Sequence, residues 1–332
     1  MGSRVSSCRQ APMCSLSGGS DDYLNRVDIC IVTRERLNGV RRLLGGLNEL
    51  EFSKSETPDL ELIVVDNSPE FAAMEWNATD FGAKWETRYN VEQRLGIPFA
   101  RNTALDTCRQ NSHFVVFIDD DEVPEPYWLD ELLSVQQQYD ADVVAGPVLP
   151  KFADGAPSWV VGGGFFERPR MRTGTPLRFA GTGNVLIRRS VLARTGIRFD
   201  DRFALSGGSD THFFLRLHQA GCRMVWADEA VVHEWVPASR ANLKWICRRA
   251  FRLGATMSRC ELYTRPSARL VLVRIAKGLG QIAWGFAALP TGLVWGRKSY
   301  VRALQRVSRG VGSLSGLIGF HYQEYRMQST TE

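Results

Sequence analysis

Short apolar runs alternate with amphipathic stretches over the first two thirds of the chain. Val27 to Thr33 (VDICIVT) reads as a strand buried on both faces, and Val40, Leu43, Leu44, Leu47 and Leu50 then recur at helical spacing. A strand followed by such a helix opens a parallel βαβ unit. Leu60 to Val65 supplies a second strand, Trp85 to Val91 a third, Ile97 to Arg109 a helix and Phe114 to Ile118 a fourth strand. Tyr127 to Gln138 reads as the next helix and Asp142 to Ala145 as a fifth strand, so the pattern predicts an α/β fold with a mostly parallel central sheet. Beyond Pro150 the pattern is irregular. It recovers in Gly183 to Arg188, in a helix from Asp210 to Ala220 and in a short strand from Arg223 to Ala227.

Polar residues gather at the carboxyl ends of three predicted strands: Thr33-Arg34, Asp66-Asn67 and Asp119-Asp120-Asp121. Open α/β sheets bind ligands at that edge, so these three ends line a crevice. Aspartates at i and i+2 of an extended segment point the same way, which lets Asp119 and Asp121 share a hard cation with a nucleotide diphosphate and sends Asp120 to the other face. The alternative for the acidic run is a turn capping the next helix, with Pro124 or Pro126 in its first turn and Asp130-Glu131 following. No GxGxxG follows the first strand and no Walker sequence occurs, which removes the main support for dinucleotide and P-loop chemistry. Gly162-Gly163-Gly164 reads as a flexible turn.

Charge divides the chain unequally. Residues 236–332 hold 16 Lys and Arg against three acids, while the residues before them carry an acidic excess. A basic tail could meet nucleic acid, anionic lipid or an acidic substrate. Residues 278–296 hold no charge and would make about 28 Å of helix, close to a bilayer core of about 30 Å. Five glycines, Gln281 and Pro290 weaken a span, and Lys277 and Arg297-Lys298 place positive charge at both ends. The segment is therefore expected to lie at a membrane interface or re-enter it, with a buried core helix as the alternative. Basic–aromatic interleaving and recognition-helix patterns are missing, so lipid is favoured over nucleic acid.

The seven cysteines form no CxxC pair and no Cys/His metal spacing, which fits a reducing compartment. Met1 to Arg26 has no apolar h-region, and neither secretion nor a lipobox at Cys14 is expected; the stretch reads as a disordered tail. Met1 to Ser6 fits the short N-myristoylation pattern. The expected organisation is a tail over 1–25, a catalytic domain over 26–236 and a basic helical region over 237–332.

The ordered blocks VDICIVT, LELIVVDNS, QRLGIPFARNTAL, FVVFIDDDEVPEPYWLDEL, TGNVLIRRSVL, GGSDTHFFLRL and WADEAVVHEWVP resemble the family 2 inverting glycosyltransferases. The likeness is strongest to glucosyltransferases of bacterial exopolysaccharide assembly of the succinoglycan type, and it covers roughly residues 27–255. It implies a GT-A fold, a UDP-sugar donor, Mg2+ or Mn2+, and a lipid-linked saccharide acceptor at the cytoplasmic face of the inner membrane. By the same resemblance Thr33 and Asp66 hold the uracil, Arg101 supports the nucleotide pocket, Asp119 contacts the ribose side, Asp121 and His233 bind the metal, and Asp210 is the general base. Bland roles stand beside these: Arg101 paired with a surface acid, His233 structural, Asp210 an N-cap. The usual Glu-Asp after the glycine pair is Ser209-Asp210 here, a departure that leaves a non-catalytic scaffold as the alternative function. A sugar-1-phosphate nucleotidyltransferase is the rival enzyme, but Thr33 to Leu37 lacks the glycines its first turn requires.

Overall fold

The computed structural model describes residues 25–68, 82–204 and 206–319. The expected tail over 1–25, all but its last residue, and the myristoylation pattern lie outside the described residues. The first half runs β1 (Arg26–Thr33), α1 (Leu37–Asn48), β2 (Asp59–Asp66), β3 (Glu86–Val91), α2 (Ile97–Thr107), β4 (Phe114–Asp119), β5 (Glu122–Pro124), α3 (Trp128–Tyr139) and β6 (Val143–Ala145). There follow β7 (Val148–Phe152), α4 (Ser158–Val161), β8 (Asn184–Arg188), α5 (Arg189–Thr195), α6 (Ser209–Gln219), β9 (Met224–Trp226) and β10 (Val232–Val236). Four helices close the described chain: α7 (Leu243–Thr264), α8 (Ala268–Ala288), α9 (Thr291–Trp295) and α10 (Arg297–Leu317).

Seven strands form one sheet in the order β3-β2-β1-β4-β8-β6-β9. The strands β3, β2, β1 and β4 are mutually parallel, β8 is antiparallel to β4 and β6, and β6 is parallel to β9. The period-two pattern of β1 divides the core. Ile29 and Ile31 pack with Leu43 and Leu47 of α1 and with Leu129 and Leu132 of α3. Cys30 faces the other way, among Ala100 and Ala104 of α2 and Phe213 and Phe214 of α6. Each large apolar side chain withdrawn from water contributes about 1.5–3 kcal/mol. Helices on both faces thus fix the height of every strand, and with it the edge where the strands end.

A second sheet, β5-β10-β7, was not legible as a unit. Its strands are three to five residues long. Asp120 and Asp121 form the turn that carries the chain from β4 in the large sheet to β5 in the small one. The acidic run therefore does not cap α3, whose first turn holds Asp130 and Glu131 behind the N-cap Tyr127.

The uncharged stretch 278–296 is not one helix. It breaks at Leu289-Pro290, ending α8 and leaving the short α9. A buried core helix is not what forms: only Gly278 and Gly285 of α8 are buried, while Trp284 is 64% and Phe286 57% exposed. Both glycines face α10, Gly278 against Leu314 and Gly310, Gly285 against Val307 and Ala303. On its other side α10 brings Gly312 and Gly316 against the backbone of Phe251 and Ala255 in α7, too close for any larger side chain. By length and composition α8 is able to cross a bilayer.

Candidate active site

The strand ends, the turn between β4 and β5, the start of α6, β10 and one face of α7 enclose a crevice of about 330 Å³. Thr33 ends β1, and its Oγ1 donates to Asp120 Oδ2 at 2.8 Å. Arg36 donates to Asp120 Oδ1 at 3.0 Å and to Asp121 Oδ2 at 3.2 Å, and Arg240 donates to the same Asp121 oxygen at 3.2 Å. Asp120 does not point away from the crevice, as strand alternation predicts. The strand ends at Asp119, so the alternation ends there too, and Asp120 is buried as the brace between β1 and the α1 entry.

Asp119 lies deepest in the electrostatic field of the turn. Enclosure by protein pushes its carboxyl up to about 6 against the pull of Arg101, and Asp121, Asp120 and Asp210 add repulsion. Its side chain still opens onto the crevice, 44% exposed. Beneath it Glu122 is buried and raised well above the ordinary range by that burial, with Asp119 and Asp121 next in effect. Glu122 Oε2 accepts from the Asp119 N–H at 3.0 Å, which fixes the turn.

Arg101, on α2, reaches across the crevice. Its Nη1 donates to Ser209 Oγ at 3.1 Å and its Nη2 lies 3.6 Å from Asp119. Asp210 follows in the first turn of α6, where its Oδ1 accepts from the Thr211 N–H at 2.7 Å. It is not the N-cap. That position belongs to Gly208, whose φ of +94° and tight contact with Thr256 exclude a larger residue.

Two of the expected residues do not line the crevice. Asp66 is buried behind it, with Oδ1 accepting from the Ser68 N–H and Oδ2 from the Tyr89 hydroxyl, both at 2.9 Å. Its neighbour Asn67 stands at the crevice instead and braces the loop before α2 through the Gly96 N–H at 2.8 Å. His233 is turned outward, its Nε2 2.9 Å from Glu125, because β10 alternates and presents Glu234 to the crevice. Register places Glu234 opposite Glu122, so the second sheet delivers one more carboxylate to the acidic turn. Sequence reading missed Arg36, Arg168, Arg240 and Arg249, which all line the site. Their only signal was an excess of arginine, and arginines are scattered throughout the chain.

Among the described residues no three His, Cys, Asp or Glu side chains converge on a metal cage. Asp119 and Asp121 do line the crevice together, and Mg2+ characteristically takes one or two carboxylates and completes its shell with phosphate oxygens and water. The donor set fits a divalent ion shared with a bound diphosphate. Chemically, the crevice pairs an acidic turn able to hold such an ion with a separate carboxylate, Asp210, able to accept a proton.

The profile of Glycosyl transferase family 2 matches residues 28–196, and that of Glycosyl transferase family group 2 matches residues 114–308. The chain is 33% identical over 265 residues to the succinoglycan biosynthesis protein ExoM of Rhizobium meliloti (strain 1021), which covers 79% of each chain. It is 27% identical over 286 residues to the pre-mycofactocin glycosyltransferase of Mycobacterium tuberculosis (strain ATCC 25618 / H37Rv), covering 80% of this chain and 53% of that one. The mannosyltransferase PcManGT from Pyrobaculum calidifontis, solved with GDP-Man and Mn2+, shares the fold. It has a TM-score of 0.57 at 18% identity, over 89% of this chain and 88% of that one. Staphylococcus aureus TarS matches with a TM-score of 0.50 at 14% identity over 87% of this chain, which spans 55% of the TarS chain. With the GT-A architecture, the acidic turn and these matches in hand, the chain belongs to glycosyl transferase family 2 and is a nucleotide-sugar-dependent glycosyltransferase.

Proposed function

We propose that the enzyme moves a hexose from a UDP-sugar to a lipid-linked saccharide during surface or exopolysaccharide synthesis, with inversion at the anomeric carbon. The observation that carries this reading is the placement of the Asp119–Asp121 turn and Asp210 on one crevice, from different elements. The likeness to the succinoglycan protein supports the class of product.

An acceptor hydroxyl is a poor nucleophile at neutral pH. Asp210 would remove its proton as the oxygen attacks, in a single displacement with no enzyme-bound sugar. Charge develops on the leaving diphosphate as the glycosidic bond breaks. Mg2+ or Mn2+ held on Asp121 and Asp119 would neutralise that charge. Arg101 lies beside Asp119 and would face the same donor, while Thr33 fixes Asp120 and with it the turn. Asp66 would serve the base end through the Asn67 loop it supports rather than by direct contact.

The region from residue 237 onward would hold the enzyme at the cytoplasmic face of the inner membrane. Exposed Leu272, Leu279, Trp284, Phe286, Leu293 and Trp295 on α8 and α9 support this, beside the arginines of α10. The test of the activity is a donor screen on full-length protein with Mn2+, using UDP-, GDP- and dTDP-hexoses and reading nucleotide release. Release restricted to UDP-sugars is expected. Release from GDP- or dTDP-sugars alone would reassign the donor, and no release from any would sink the reading.

A further inference from the structure

Across the crevice from the donor-side strand ends stands a wall that the transfer chemistry above leaves unused. Trp245, Arg249, Arg252 and Thr256 follow one another at helical spacing on α7, and all four line the crevice. Arg168 joins them from the loop before β8. Its Nη2 lies 3.8 Å from Glu234 Oε2, and Arg249 Nη2 lies 4.0 Å from the same oxygen. One carboxylate thus faces two guanidinium groups.

Arg249 is the more unusual. Its side chain is 12% exposed and sits over the rings of Phe166 and Trp245, with centroids 5.3 and 5.4 Å away. Among the described residues its side chain makes no hydrogen bond, and Glu234 is its one ion-pair partner, at 4.0 Å. Burial pulls the guanidinium down to about 10, with Glu234 opposing and Arg168, Arg252 and Arg240 adding to the effect. A guanidinium this far withdrawn from water and held only by a 4.0 Å ion pair gains from an anion that reaches it from the crevice.

The wall adjoins the general base. Thr256 packs against Gly208 at the start of α6, and a Cβ placed on Gly181 would lie 3.7 Å from both Arg168 Nη1 and Asp210 Oδ2. An acceptor whose hydroxyl reaches Asp210 must extend along this wall, and α7 leads on to the exposed apolar face of α8.

We propose that Arg168 and Arg249 form an anion subsite for the acceptor, taking a phosphoryl or diphosphate group joined to its lipid carrier. The inference rests on the glycosyltransferase reading with the donor at the strand ends. Glu234 holds the two guanidinium groups in place for the anion, and Phe166 and Trp245 keep Arg249 from swinging out.

The test uses full-length protein, titrated by tryptophan fluorescence with farnesyl diphosphate, inorganic pyrophosphate and farnesol, each with and without saturating UDP and Mn2+. Arg168→Gln and Arg249→Gln are expected to weaken farnesyl diphosphate about tenfold or more, the loss of a charge-assisted hydrogen bond, with UDP affinity held within about twofold. Arg249→Lys should recover part of the loss, which separates a charge effect from a packing effect. Farnesol binding as tightly as farnesyl diphosphate, or both variants binding it like wild type, would overturn the subsite. A loss confined to inorganic pyrophosphate would mean a free anion and overturn the acceptor assignment. A parallel loss of UDP would move the two arginines to the donor site and overturn it as well. Failure of UDP to bind wild-type protein counts against the donor reading alone, because the farnesyl diphosphate comparison is also made without it.

Discussion

Ser209 stands where the resemblance to family 2 enzymes leads to the expectation of an acid, and its hydroxyl accepts from Arg101 at 3.1 Å. An acid there would neutralise Arg101 outright. The serine satisfies one donor and leaves the charge directed toward Asp119, 3.6 Å away. The serine therefore keeps the Arg101 charge at the crevice. Ser209→Ala should weaken nucleotide-sugar binding about three- to tenfold, the net range of an ordinary hydrogen bond, because Arg101 keeps Asp119 beside it, with little change in kcat. A change in kcat at constant KM would place Ser209 in the chemical step instead.

The metal assignment separates Asp121 from Asp120 by role. Chelation should abolish turnover and Mn2+ or Mg2+ should restore it. Asp121→Asn should abolish the response to metal. Asp120→Asn should instead lower thermal stability, because Asp120 is buried and bonded by Thr33 and Arg36. The two readouts are metal titration of activity and the melting temperature. Full activity in excess chelator would remove the metal from the mechanism.

Asp210→Asn should reduce transfer by about 100- to 10,000-fold, the usual contribution of a general base, while donor affinity stays within a few-fold. Glu234 is the competing carboxylate in the same crevice. Single-turnover transfer and nucleotide binding, measured on both variants, separate them. If Glu234→Gln abolishes transfer while Asp210→Asn retains it, the base is Glu234.

Much of the large sheet was legible because β1, β2 and β4 are apolar runs that end in polar residues, and α1 shows an unbroken helical period. The site was only partly legible. Thr33, Arg101, Asp119, Asp121 and Asp210 come together because they sit at element ends whose height the core sets. Asp120 faces the crevice because period-two alternation stops where the chain changes sheets between Asp119 and Glu122, whereas His233, assigned by resemblance alone, turns outward to Glu125 because β10 presents Glu234 instead. The small sheet was invisible because three residues, such as Glu122–Pro124, carry no readable period. Its partners lie far along the chain, with His233 beside Val123 and Leu149. The arginine wall was hidden for a different reason. Arg249 belongs to a helix whose polar face meets protein rather than water, which only the packing of α7 reveals.

Stability should fall in mild acid through His212. The ring is buried against Phe203, with centroids 4.9 Å apart, and burial holds it down to about 4. Asp200 opposes that shift, while Arg216, Arg202 and Arg259 reinforce it. An unfolded histidine gains its proton near pH 6.5, so between about 6.5 and 4 the unfolded chain binds more protons than the folded one. The contribution is complete above pH 6.5 and is lost as pH drops, by at most about 1.4 kcal/mol per pH unit. Asp200, lowered to about 2 chiefly by its hydrogen bonds from Arg202, acts in a more acidic window. The raised carboxyls of Asp119 and Glu122 act in the opposite direction in part of this window, so the His212 share is read as a difference: the denaturant midpoint of wild type relative to His212→Gln should rise with pH between 5 and 7. An unchanged slope in the variant would assign the effect elsewhere.

The last prediction concerns the exposed face of α8 and α9. Leu293 is 92% exposed, Val294 74%, Trp295 68% and Trp284 64%, large apolar side chains left in water of the kind that mark protein or membrane interaction surfaces when they gather. Arg297, Lys298, Arg302, Arg306 and Arg309 follow on α10. Each cation near an anionic leaflet contributes on the order of 1 kcal/mol, attenuated by salt, and inserted aromatic rings add a salt-insensitive share. Full-length protein should therefore co-sediment with anionic vesicles at low salt and be released in part at high salt. Removing everything after residue 265 is a poor test, because α10 covers the backbone of α7 at Phe251 and Ala255. Trp284→Ser with Phe286→Ser keeps that packing and should abolish the salt-resistant fraction, with the nucleotide affinity of the crevice unchanged. If the double variant sediments like wild type at every salt concentration, or the wild type fails to sediment at all, the surface serves a different partner.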